Sequence, residues 1–112
     1  MQISVTEHPD DIAVVSLGGR LDLLSAATVK ARFNDEVQRG RRRLIVDLGE
    51  VTMIDSSGLG ALIGGLKAAR LANGDLRLAR AQEQALTILR LTMLDRVLST
   101  YGTIEEALAA YE

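Results

Sequence analysis

Leu44-Ile-Val-Asp-Leu-Gly-Glu-Val-Thr-Met-Ile-Asp55-Ser56-Ser57-Gly58-Leu59-Gly60 carries an apolar run into two adjacent hydroxyls and then into a new period. From Leu44 to Leu48 apolar residues are nearly continuous, the pattern of a central strand covered on both faces, with Asp47 near its end. From Gly58 onward Leu59, Leu62, Ile63 and Leu66 recur at i, i+3, i+4 and i+7. That spacing predicts an amphipathic helix running to Asn73-Gly74, which stops it. A buried strand leading into a helix through Asp55-Ser56-Ser57 points to an α/β fold. The junction also suits a phosphate, because a helix N-terminus offers unpaired N–H groups and the positive end of a dipole.

Upstream, Ile3 to Thr6 and Ile12 to Leu17 are short β-branched runs flanking His8-Pro9-Asp10-Asp11, which reads as a hairpin turn. After Gly18-Gly19, Ser25 is placed to cap a helix through about Gln38, with Ala26, Val29, Phe33 and Val37 near one face and Gly40 ending it. Downstream, Asp75 to Ala79 alternates like a half-exposed strand, and Glu83 to Leu91 returns to helical spacing through Ala85, Ile88 and Leu89. Val97 to Tyr101 reads as a short edge strand. Thr103-Ile-Glu-Glu106 has the spacing of a capping box and opens a last helix with Ala107, Leu108 and Tyr111 inward. The order is β-β-α-β-α-β-α-β-α, which predicts a mixed four- to five-stranded sheet packed with about four helices. Its strand-helix-strand units should be parallel and the first hairpin antiparallel.

The chain has 112 residues, 47% of them apolar, and one Pro. Residues 1–112 are accordingly read as one compact domain with a modest core. There is no Cys, which removes disulfides, thiolate chemistry and cysteine zinc sites and agrees with a reducing compartment. The N-terminus lacks the basic start and long apolar stretch of a signal peptide. No apolar segment approaches the roughly 20 residues needed to span a bilayer. A cytoplasmic chain without membrane contact is expected. Thirteen basic and 15 acidic residues give a net charge of -2, and aromatics are 3%. Neither an overall field nor a stacking platform is present for direct nucleic-acid binding.

Several residue sets invite chemical readings. Ser is favoured at helix N-caps, so Ser56 and Ser57 have a purely local explanation. One can cap while the other stays exposed to a kinase, and the cap explains one hydroxyl more easily than two. Asp55 either bonds to the turn or orients its neighbouring hydroxyl. A nucleophile elbow needs Gly two residues before the Ser, where Ile54 and Asp55 stand instead, and the only imidazole is His8 in the hairpin turn. Gly58, Gly60, Gly64 and Gly65 do not complete a phosphate-loop pattern and are better explained by close packing of a helix on the sheet. Asp10, Asp11 and Asp22 lack a recognised metal-loop spacing, so no metal is expected. Arg39 and Arg41 to Arg43 read as a solvated helix end and loop, or as a contact for an acidic partner or nucleic acid. Gly19-Arg20-Leu21-Asp22 is either a simple turn or a recognition edge. Loops leaving neighbouring parallel strands meet at one end of a sheet. Leu21, Asp22, Ser56, Ser57 and Leu59, with Asp55 and Gly58 between them, are therefore expected to form one partner-binding edge.

Gly19-Arg20-Leu21-Asp22 together with the stretch from Leu44 to Gly60 resembles the STAS domains of bacterial anti-sigma-factor antagonists, and its Asp-Ser-Ser-Gly-Leu core is specific. The resemblance spans nearly the whole chain. It implies a non-enzymatic transcription regulator with no cofactor, phosphorylated at the first Ser after the Asp, which is Ser56. It further implies that the unphosphorylated form binds an anti-sigma-factor serine kinase with a GHKL-type ATP site and frees sigma factor, and that a PP2C-type phosphatase resets the switch. The alternative is a STAS interaction module in a different phospho-dependent partner-switching or ligand-sensing pathway. Leu23-Leu24 departs from the polar residues that many relatives carry after this Asp, which bears on partner identity more than on fold.

Overall fold

The computed structural model describes all of residues 1–112. In chain order the elements are β1 (Gln2–His8), β2 (Ile12–Leu21), α1 (Ala26–Gln38), β3 (Arg43–Ile54), α2 (Ser56–Leu71), β4 (Asp75–Ala79), α3 (Glu83–Leu91), a 3-10 turn (Leu94–Arg96), β5 (Thr100–Tyr101) and α4 (Ile104–Ala109). One sheet has the order β1-β2-β3-β4-β5, with β1 antiparallel to β2 and all later pairs parallel. This is the mixed five-stranded sheet with four helices that the periodicities predict.

Because β2 to β5 are laid down in one direction across the sheet, the intervening helices fall on one face. Val29 and Phe33 of α1, Leu59, Leu62 and Leu66 of α2, and Ala85 and Leu89 of α3 share a 21-residue buried cluster with Val15, Leu44, Val46 and Leu48. The opposite face has only α4, whose Ala107 packs with Ile12, Val14, Ile45 and Ala79. β3 is thus buried on both faces over the run from Leu44 to Leu48, as its unbroken apolar pattern requires.

Element ends follow local chemistry. α1 closes in a Schellman motif: Gly40 takes φ 92, its N–H donates to the Val37 carbonyl, and the Arg41 N–H donates to the Glu36 carbonyl. α2 closes in the same way with Asn73 at φ 64, while Gly74 is required because a Cβ there would overlap the Arg42 carbonyl. Thr103 caps α4, its hydroxyl accepting from the Glu106 N–H at 3.1 Å.

Four expectations are corrected. β2 does not end at Leu17 but continues through Gly18 and Gly19 to Leu21, with register shifts between Ser16 and Gly18 and between Gly19 and Arg20. The glycines mark a bulge and not a strand end. β3 likewise runs past Leu48 to Ile54. The edge strand expected over Val97 to Tyr101 shrinks to Thr100–Tyr101, because the Val97 and Leu98 N–H groups donate back to the Leu94 carbonyl of the 3-10 turn. Ser25 occupies the N-cap position of α1 without capping it: its hydroxyl donates to the Arg20 carbonyl at 2.8 Å and accepts from the Asp22 N–H at 3.0 Å.

Candidate functional site

β4 pairs with β3 only from Arg43 to Asp47, so the later part of β3 loses its partner on that side. Alternate residues of a parallel strand direct both main-chain groups to the same neighbour. The Asp55 N–H donates to the Leu21 carbonyl of β2 at 3.3 Å, which turns the main-chain groups of Ile54 toward the vacated side. There the side-chain amide of Gln84 meets both: its Oε1 accepts from the Ile54 N–H at 2.9 Å and its Nε2 donates to the Ile54 carbonyl at 3.0 Å. The Gln82 amide donates to the Gly49 carbonyl at 2.8 Å. Two glutamine side chains thus replace the missing strand.

From this held end the chain turns into α2, which begins at Ser56 and not at Gly58. The residue that caps it is Asp55. In extended conformation, φ -107 and ψ -173, Asp55 accepts through Oδ1 from the Gly58 N–H at 2.9 Å. Its Oδ2 accepts from the Leu23 N–H of the facing loop at 3.3 Å, so one carboxylate ties the two loops together. Neither serine hydroxyl takes part in the cap. Ser56 is exposed at the first residue of the helix and Ser57 is half-buried.

The facing loop is built as closely. A Cβ on Gly58 would overlap the Leu21 carbonyl oxygen and approach Leu21 Cγ to 2.9 Å, so only glycine lets α2 start this near β2. Asp22 Oδ1 accepts from the Leu24 N–H at 3.1 Å, an Asx turn, and its Oδ2 lies 3.5 Å from Arg20 Nε. Arg20 is therefore already engaged by a carboxylate. Beyond this turn Leu23 and Leu24 stand 74% and 92% exposed.

The structure divides the expected edge into a surface and its support. Asp22, Asp55, Ser56 and Ser57 reach solvent together at the carboxyl ends of β2 and β3, whereas Leu21, Gly58 and Leu59 are buried beneath them. Gly65 packs against Phe33 and Leu76, as close helix-sheet packing predicts, and Gly64 against Lys30, but Gly60 has open space where a Cβ would stand. His8 lies at the start of the parallel strands, opposite Ile12, and so at the far end from the serines. Three arginines of the basic run are paired with carboxylates. Arg39 and Arg41 flank buried Glu36, Arg41 also pairs with Glu7, and Arg42 joins Asp11 and the Asn73 carbonyl. Sequence reasoning passes over Gln84, because a polar residue in the first turn of a helix gives no hint of a main-chain partner 30 residues away.

What the site offers is an uncommitted primary hydroxyl at a helix N-terminus, backed by a fixed carboxylate and edged by two exposed leucines. A phosphate on Ser56 would meet the positive end of α2 while adding negative charge beside Asp55.

The model of the STAS domain matches residues 3–107. A Thermotoga maritima protein provisionally described as an anti-sigma factor antagonist is 31% identical over 100 residues, 88% of each chain. The crystal structure of an anti-sigma factor antagonist from Mycobacterium paratuberculosis superposes with a TM-score of 0.85 at 27% identity, covering 97% of this chain and 92% of that one. SpoIIAA has the same fold in two states. Its unphosphorylated form, an anti-sigma factor antagonist, gives a TM-score of 0.84 at 18% identity over 98% of this chain and 96% of that one. The phosphorylated form from Bacillus gives 0.77 at 19% identity over 99% and 100%.

Proposed function

This chain belongs to the STAS domain family, and we propose that it acts as an anti-sigma factor antagonist switched by phosphorylation at Ser56. In this reading the unphosphorylated chain docks through the edge formed by Asp22, Asp55, Ser56 and Ser57 on an anti-sigma-factor serine kinase with a GHKL-type ATP site. Sigma factor is released as a result. Transfer of the ATP γ-phosphoryl to the Ser56 hydroxyl ends the association, and a PP2C-type phosphatase restores it. The chain is a substrate and binding partner in this cycle and not an enzyme.

The observation that carries the reading is that Asp55 takes the cap and leaves the Ser56 hydroxyl exposed on the first residue of α2. The relatives named as antagonists, and a structural neighbour known in phosphorylated and unphosphorylated forms, support it. Phosphorylation acts locally in this account. The free domain tolerates the added charge of about -1.5 to -2 because the helix N-terminus favours it. In the complex, a phosphate stripped of water with no cation to receive it costs on the order of 3–5 kcal/mol. Calorimetric titration of the anti-sigma kinase with unmodified and Ser56-phosphorylated chain tests this. An affinity loss of about 10²- to 10³-fold or more is expected, and equal affinity of the two forms would overturn it.

A further inference from the structure

We infer that Gln84 is a positioning residue of this switch: its amide completes the unpaired end of β3 and thereby sets the place from which Asp55 and Ser56 project. The inference rests on the role proposed for Ser56, and deepens it by naming what holds that residue.

Ile54 is the last residue of β3 and is 1% exposed. Its N–H and carbonyl face the side where β4 has ended at Ala79, opposite Asp47. Buried main-chain groups must find partners or lose the full cost of desolvation. Gln84 gives both at once, at 2.9 and 3.0 Å, with the paired donor and acceptor of a strand residue. One residue later come the Asp55 N–H bond to Leu21 and the Asp55 carboxylate, which holds the Gly58 N–H of α2 and the Leu23 N–H of the facing loop. The chain of contacts therefore runs from α3 through Ile54 to Asp55, and from Asp55 to both halves of the edge. Gln84 itself touches neither serine. A shift of the Ile54 main chain would carry the capping carboxylate with it, loosening the first turn of α2 where Ser56 sits.

Amide hydrogen exchange and amide chemical shifts of the free 112-residue chain test this without any kinase or partner. Gln84→Met keeps side-chain length and removes both hydrogen bonds, and Gln84→Glu keeps an acceptor for the Ile54 N–H. In Gln84→Met the Ile54 amide should exchange about tenfold faster or more, as expected for local opening on loss of two hydrogen bonds. The Gly58 and Leu23 amides, which Asp55 and not Gln84 holds, should move in chemical shift, while the shifts of Val46 and Leu78 stay at wild-type values; the exchange of those two core amides follows global stability. In Gln84→Glu at neutral pH the carboxylate only accepts and sets an oxygen against the Ile54 carbonyl, so the Ile54 amide should also exchange faster than wild type. Unchanged Ile54 exchange in Gln84→Met would overturn the clamp, as would wild-type Ile54 exchange in Gln84→Glu. Fast Ile54 exchange with Gly58 and Leu23 at wild-type chemical shifts would overturn the positioning role and reduce Gln84 to a contributor to global stability. A chain that never accepts phosphate at Ser56 would leave these exchange rates as they are, so the two failures are distinguishable.

Discussion

At its start β3 is preceded by Arg39-Gly-Arg-Arg-Arg43, and at its end it runs into Asp55-Ser-Ser-Gly58. Both are polar clusters at the mouth of the same strand, but their side chains are spent differently. At the start, Arg39, Arg41 and Arg42 are taken up by Glu36, Glu7 and Asp11, and the Tyr111 hydroxyl donates to the Leu44 carbonyl at 2.8 Å. At the end, main-chain groups are held by Asp55 and Gln84 while the serine hydroxyls of the α2 cap are left out. The first end closes the fold. The second holds a hydroxyl ready on a fixed backbone. Charge density does not distinguish the end proposed here as the functional one; side-chain chemistry that the fold does not use does.

Substitutions at the two ends should therefore separate stability from binding. The largest effect is expected at Gly58, where Gly58→Ala drives a methyl into the Leu21 carbonyl and costs about 1–3 kcal/mol, with loss of partner affinity as the two loops part. Gly60→Ala, two residues along the same helix with nothing in the way, should instead stabilise by up to about 1 kcal/mol. Chemical denaturation of the pair reads the contrast directly.

At the start of β3, Arg41→Ala leaves buried Glu36, whose Oε1 already lacks a hydrogen bond, with Arg39 alone. A loss of about 1–3 kcal/mol is expected, with partner affinity unchanged in calorimetry. The opposite pattern belongs to the other end. Ser56→Ala should move stability by no more than about 0.5 kcal/mol, whereas Asp55→Ala removes the cap and costs about 0.5–2 kcal/mol. Equal costs for Ser56→Ala and Asp55→Ala would mean that the hydroxyl shares the capping role.

A pH-dependent effect is expected at Tyr111, at the start of β3. Burial, and then the Asp75 carboxylate, push its phenol well above the ordinary value of 10.0. The unfolded phenol ionises near that value while the folded one stays protonated, so between the two the unfolded chain binds fewer protons. Its contribution is intact below about pH 10 and declines as pH rises toward the folded pKa. Tyr111→Phe should cost about 1 kcal/mol at neutral pH and flatten the alkaline fall in stability, as measured by denaturant titrations at successive pH values.

How far these features can be read from sequence depends on the range of the interactions behind them. The element order, the two-sided burial of Leu44 to Leu48 and the faces of α1 and α2 follow from periodicity, which is local. The lengths of β2 and β3 do not, because Gly18-Gly19 in one and Gly49 in the other look like breaks, and only the pairing of Leu21 with Ile54 shows both strands continuing. Asp55 and Ser56 are both good cap formers, and their order along the chain does not tell which residue stays extended. Gln84 is invisible for a different reason: its worth lies in a vacancy left by β4, a property of the assembled sheet.

The central claim is that Ser56, and not Ser57, carries the phosphate. Incubating the chain with the proposed anti-sigma kinase partner and ATP, then locating the modification by fragmentation mass spectrometry, tests it most directly. One phosphate on Ser56, absent from Ser56→Ala and retained in Ser57→Ala, is the predicted result. Phosphate found chiefly on Ser57 and surviving in Ser56→Ala would contradict the account.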